Sequence, residues 1–166
     1  MQIFLVGFMG SGKTHWGRLW SANNPFSFAD LDDVIEKEQQ TTIKKVFEEK
    51  GEIYFRDIET ATLHSFTEHQ NTIIACGGGT ACFNNNMEWM NGHGITVYLR
   101  SSPKELAERL LSEKNHRPII KDIHDNGLED FITKKLSERE SFYNRAKIIL
   151  DTKGITVNTF KEIINY

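Results

Sequence analysis

Short apolar runs recur along the chain, and between them lie longer stretches with helical period. The runs Gln2-Ile3-Phe4-Leu5-Val6, Phe26 to Ala29, Asn71 to Cys76, Ile95 to Leu99 and Ile148 to Leu150 predict five strands. Helical patterns follow at His15 to Ala22, from Val34, at Thr42 to Lys50, at Glu52 to about His69, at Asn85 to Asn91, at Leu128 to Ala146 and at Phe160 to Ile164. Gly51 should break the third pattern from the fourth. Ser102-Pro103-Lys104-Glu105 reads as a capping box, opening a helix to about Leu111. Asn115 to Lys121 is polar, proline-interrupted and without period, and is expected to form a lid over residues 112–124; His116 there reads as a solvent-facing loop residue. The repeated β-loop-α order argues one parallel sheet with helices on both faces, in a single α/β domain covering residues 1–166.

The first loop changes this picture most. Gly7-Phe8-Met9-Gly10-Ser11-Gly12-Lys13-Thr14 is a complete G-x-x-x-x-G-K-T between a predicted strand and a predicted helix. Glycines let the backbone curl and turn N–H groups towards phosphate oxygens. Lys13 would reach the β- and γ-phosphates, and the Thr14 hydroxyl would hold Mg²⁺. A glycine-rich turn with an incidental lysine is the plain alternative; four fixed positions and two correct flanks weigh against it.

Composition removes other classes. The 166 residues carry a net charge of −3 with no basic run, so no nucleic-acid partner is expected. No apolar stretch approaches a membrane span, and the start lacks a charged n-region, so a cytoplasmic protein is expected. Cys76 and Cys82 form neither a zinc pattern nor a disulfide framework. Only seven of the 20 basic residues are arginines, a bias that draws attention to each place where a planar bidentate donor stands.

Three further places could carry chemistry. Asp30 and Asp32 lie where the second strand ends, the edge at which open α/β sheets bind ligands. They are candidates for metal and substrate contacts, or a helix N-cap and a first-turn acid, and spacing alone leaves the two readings even. Gly77-Gly78-Gly79 follows the third strand, which favours a closely approaching ligand over a flexible turn. Arg56 and Glu59 lie three apart on one helix; on spacing alone they read as an ordinary surface pair.

Taken together these motifs resemble the shikimate kinase family over most of the chain. The matching elements are the phosphate loop with its Phe8-Met9 filling and following Gly17-Arg18, the D-x-D of Asp30-Leu31-Asp32, and the stretch from Ile43 through Gly51-Glu52 to Phe55-Arg56-Asp57-Ile58-Glu59. The glycine triplet, Arg117-Pro118 and Arg139…Tyr143…Ala146 complete the likeness. The resemblance implies ATP-dependent phosphorylation of the shikimate 3-hydroxyl, a step towards chorismate and the aromatic amino acids. It implies a three-layer P-loop kinase fold with a five-stranded parallel sheet ordered 2-3-1-4-5. Lys13, Asp32 and Arg117 would be catalytic, Asp32 as candidate general base at the reacting diol and Arg117 reaching in from the lid. Gly10, Ser11, Gly12, Lys13, Thr14, His15, Arg109 and Arg117 would bind ATP, with Arg109 over the adenine. Asp32, Arg56, Gly77, Gly78, Gly79 and Arg139 would bind shikimate, the two arginines taking its carboxylate. Thr14, and Asp30 through water, would hold Mg²⁺. Shikimate and ATP are the expected partners, and a monomer the expected state.

Two departures stand out. His15-Trp16 follows the loop where small or β-branched residues are usual; Trp16 is expected to pack under the loop as core. Cys76 precedes the triplet where a threonine, serine or similar small residue is frequent, which questions the outer shell of the metal. Two other readings compete: a related kinase for gluconate or a nucleoside monophosphate, which explains Arg56, the triplet and Arg139 poorly, and a non-catalytic nucleotide-binding regulator, against which intact Lys13, Thr14, Asp32 and Arg117 speak.

Overall fold

The computed structural model describes residues 1–68, 70–113, 120 and 123–166. His69, Arg117 and most of the segment expected to form the lid lie outside the described residues.

Five strands form one parallel sheet: β1 (Gln2–Val6), β2 (Ser27–Asp30), β3 (Thr72–Ala75), β4 (Ile95–Arg100) and β5 (Ile148–Asp151), in the order β2-β3-β1-β4-β5. β1 is central. Ile3 stands beside Ile73 on one side and Ile95 on the other, so both edges of the strand carrying the loop are paired. All five β1 residues are buried because both faces of the sheet are covered. Ile3 and Leu5 face a layer built with Trp20 of α1 (Lys13–Asn23) and Phe160 and Ile163 of α7 (Thr159–Ile164). Phe4 and Val6 face the opposite layer, which takes in α2 (Leu31–Gln39), α3 (Ile43–Ser65), α4 (Asn86–His93), α5 (Pro103–Glu113) and α6 (Leu128–Tyr143). The expected three layers and strand order are both present.

Local signals also hold. α3 is interrupted at Gly51, whose φ of 82° and ψ of 173° lie outside helical space, so the predicted break between two helices is real. Ser102 and Glu105 form the reciprocal box: the Glu105 amide donates to Ser102 Oγ at 3.3 Å and the Ser102 amide to Glu105 Oε2 at 2.9 Å. Helix ends move by a few residues; α4 runs on to His93 and α6 stops at Tyr143, where the chain turns to enter β5.

Candidate active site

The carboxyl ends of the strands meet at a cleft of about 660 Å³. Its floor is the phosphate loop. Gly12 enters α1 in left-handed geometry (φ 90°, ψ 16°) with no side chain capping the helix, so the first amides of α1 are left to an anion. Lys13 is buried, and its Nζ donates to the carbonyls of Gly7 at 2.8 Å and Phe8 at 2.9 Å. The ammonium thus lies curled over the loop that is to receive phosphate.

The helix-cap reading of Asp30 holds, and the same carboxylate also reaches the phosphate loop. It caps α2 by accepting from the Asp32 amide at 3.2 Å, and its other oxygen accepts from Thr14 Oγ1 at 2.7 Å. The Thr14 hydroxyl and Asp30 carboxylate therefore meet beside the loop. These are hard oxygen donors, the set that suits Mg²⁺ shared with nucleotide phosphates and water. Among the described residues no group of three or more His, Cys, Asp or Glu could hold a metal.

Asp32 lines the same cleft. Burial, with Asp30 and Glu59 nearby, raises its pKa from 3.8 to about 6, while Lys13 partly opposes this. A carboxylate held near neutrality is suited to accept a proton. A Cβ built on Gly77 would stand 3.0 Å from Asp32 Oδ1, 3.1 Å from Thr80 Oγ1 and 3.2 Å from Glu59 Oε1. The first glycine of the triplet is the space into which these three oxygens converge.

The Arg56–Glu59 pair is not an ordinary surface pair. Their side chains are 12 % and 1 % exposed, with Arg56 Nη1 2.7 Å from Glu59 Oε2. The other Glu59 oxygen accepts from Thr80 Oγ1 at 2.6 Å. The guanidinium lies against Gly79, where a Cβ would come within 2.6 Å of Nη2. From the opposite side, Arg139 donates to the Gly78 carbonyl at 3.3 Å and Tyr143 donates to the same oxygen. The triplet is thus held between α3 and α6, with one arginine on each flank.

Arg109 reaches the other end of the cleft. It donates to the Gly10 carbonyl at 3.3 Å, to Ser101 Oγ at 3.2 Å and to Thr152 Oγ1 at 3.3 Å, and Thr152 lines the cleft. Ser101 and Thr152 were missed in the sequence; both directly follow a strand, a position that would have marked them. His15 and Trp16 also line the cleft. Trp16 packs under the loop as expected, half-buried at the edge of the core: its ring abuts Gly12 and lies 5.6 Å from Trp20, with His15 edge-on at 5.2 Å. Cys76 turns its thiol inwards, Sγ lying 3.6 Å from Met90 Sδ, and burial pushes the thiol pKa far up. It behaves as a small core residue.

The parallel sheet ordered 2-3-1-4-5, the phosphate loop and the carboxylates and arginines at its rim define a P-loop phosphotransferase. A family model described as "Shikimate kinase" matches residues 9–166. The chain belongs to the shikimate kinase family. It is 41% identical to a shikimate kinase of Parabacteroides distasonis over 165 residues, covering 99% of this chain and 95% of that one. The crystal structure of shikimate kinase from Bacteroides thetaiotaomicron superimposes with a TM-score of 0.94 at 37% identity, covering 100% of this chain and 99% of that chain. Shikimate kinase from Acinetobacter baumannii, solved in complex with shikimate, gives 0.85 at 31% identity, over 99% and 90% of the two chains. These findings set aside the gluconate, nucleoside monophosphate and regulator readings.

Proposed function

We propose that the protein transfers the γ-phosphoryl group of ATP to the 3-hydroxyl of shikimate, giving shikimate 3-phosphate and ADP. The carrying observation is that one cleft joins the phosphate loop to Asp32 and to Gly77 and Gly78 of the triplet, with Arg56 and Arg139 against the triplet's flanks outside that lining.

Phosphoryl transfer asks mainly for in-line placement and for positive charge around the moving group. On the donor side, Gly10, Ser11 and Gly12 offer backbone amides, and Lys13 leaves the Gly7 and Phe8 carbonyls to meet phosphate oxygens. His15 and Arg109 border the space for the nucleoside, and Arg117, outside the described residues, is assigned to the transferring phosphate by its R-P motif. Thr14, and Asp30 through water, would hold Mg²⁺, which would supply charge neutralisation on the phosphates. On the acceptor side, Arg56 and Arg139 take the carboxylate as planar donors, and Gly77, Gly78 and Gly79 let the ring approach the backbone. Asp32 accepts the proton of the attacking hydroxyl, its raised pKa matching that task.

The reading includes one domain over residues 1–166, acting as a monomer. No described helix is long and apolar enough to cross a membrane; a cytoplasmic location is part of the proposal. The test is ADP release from ATP and Mg²⁺ with shikimate, beside gluconate and nucleoside monophosphate controls. Turnover that depends on shikimate is expected; turnover indifferent to it rejects the proposal.

A further inference from the structure

The segment that follows the glycine triplet is fastened to α3 at Arg56, and no role assigned above uses it. The triplet runs into a 3-10 turn, Thr80–Cys82, then Phe83, and reaches α4 through Asn84 and Asn85. Both asparagines have left-handed backbone, with φ of 49° and 55°. Asparagine tolerates that region better than most residues. Asn84 Nδ2 donates to the Arg56 carbonyl at 3.1 Å and to Thr60 Oγ1 at 3.0 Å. Buried Asn86 repeats the tie, its Nδ2 donating to Thr60 Oγ1 and to the Thr80 carbonyl, each at 3.1 Å.

This turn delivers an aromatic ring to the arginine. The Phe83 centroid lies 4.1 Å from Arg56 Cζ, against 5.1 Å for Phe55 and 6.0 Å for Phe47. Phe83 stays 36% exposed, an apolar ring held at the surface rather than buried. Glu59 and Glu52 hold the guanidinium by its edge, at 2.7 Å from Nη1 and 3.3 Å from Nη2, and a ring on its face restrains it further without using its N–H donors.

We propose that Phe83 and Asn84 are positioning residues for acceptor binding. They clasp the triplet's continuation onto α3 and hold the Arg56 guanidinium in one orientation before the acceptor's carboxylate arrives. This inference rests on the reading of Arg56 as a carboxylate binder.

Steady-state kinetics of Phe83→Leu, Phe83→Tyr and Asn84→Ala test it, with unfolding midpoints measured alongside. Phe83→Leu keeps bulk but removes the π face, and should raise the shikimate KM about five- to tenfold, the scale of a partly desolvated cation–π contact. The ATP KM and kcat should stay within about twofold, and Phe83→Tyr should restore the wild-type shikimate KM. Asn84→Ala should raise the same KM. An unchanged shikimate KM in Phe83→Leu, or equal losses in the Leu and Tyr variants, overturns the clasp. So does a parallel rise in both KM values with a lowered unfolding midpoint. The Arg56 Nε–H resonance, identified by its disappearance in Arg56→Lys, gives a readout independent of the acceptor. It should lose the ring-current shift of Phe83 in Phe83→Leu and regain it in Phe83→Tyr; a resonance that does not move overturns the clasp. Wild-type protein without shikimate-dependent turnover, together with a resonance that does move, would instead reject the proposed reaction.

Discussion

The Thr14 hydroxyl donates to the Asp30 carboxylate at 2.7 Å, across 16 residues of sequence. One carboxylate therefore serves two purposes, since its other oxygen caps α2. Replacing Asp30 by alanine should cost about 1 kcal/mol of stability through the lost cap. It should also raise the Mg²⁺ concentration needed for half-maximal turnover. Urea unfolding and a Mg²⁺ titration measure the two effects separately. A stability loss with unchanged Mg²⁺ dependence would make Asp30 a cap alone.

Asp32 carries a measurable stability cost in the metal-free protein. Its folded pKa of about 6 exceeds the ordinary 3.8, so between those values the folded chain holds a proton the unfolded chain has released. Stability from this group is thus full below about pH 4 and is lost as pH rises through about 6, by on the order of 2–3 kcal/mol. Asp32→Asn should therefore unfold at a higher temperature than wild type at pH 8, with the gap closing towards pH 4. The same variant should lose turnover by about 10²- to 10⁴-fold, the usual weight of a general base. A variant with wild-type kcat would remove Asp32 from that role.

Arg56 joins Glu59 in a buried pair, so its removal leaves a carboxylate without its partner. Arg56→Ala should lose about 3–5 kcal/mol of stability for that reason. Arg56→Lys is the sharper probe, because it keeps the charge but not the planar fork. The shikimate KM should rise at least about tenfold with little change in the ATP KM, the pattern of a lost ground-state contact. Equal losses for both substrates would mean that the arginine is structural only.

Gly79 tests the same geometry from the other side. An alanine methyl would come within 2.6 Å of Arg56 Nη2 and 2.8 Å of Nη1. The far end of a long side chain can move, so the chain should fold, with the guanidinium displaced. Gly79→Ala should raise the shikimate KM about as much as Arg56→Lys, while the ATP KM holds. Titration of both substrates against ADP release checks this, and an unchanged shikimate KM would mean that Arg56 has room to spare.

Much of this was legible in the sequence because its signals are local. Apolar runs gave the five strands, Gly51 broke the helix, Ser102 and Glu105 paired as written, and the loop spelled out its own chemistry. Of the two local readings of Asp30, the helix cap holds, and its second oxygen accepts from Thr14 of the loop. What stayed hidden depends on distant partners. Spacing cannot say that Glu59 is buried, because Thr80, 21 residues on, closes over it. Nor can it bring Ser101 and Thr152 together at 2.6 Å, an encounter arranged by two neighbouring strands ending side by side. The contact of the Cys76 thiol with Met90, 14 residues on, is likewise made by packing.

The phosphate loop is spelled out by the first 14 residues, yet the chain cannot shape it early. β1 finds its neighbours only when β3 at Thr72–Ala75 and β4 at Ile95–Arg100 have emerged. Gly7 itself lies against the Leu99 carbonyl, 2.9 Å from where a Cβ would stand. Pairings of such long sequence separation form late and slowly. During synthesis, therefore, the loop waits for the middle of the chain, and the nucleotide site cannot take its final shape before β4 has emerged.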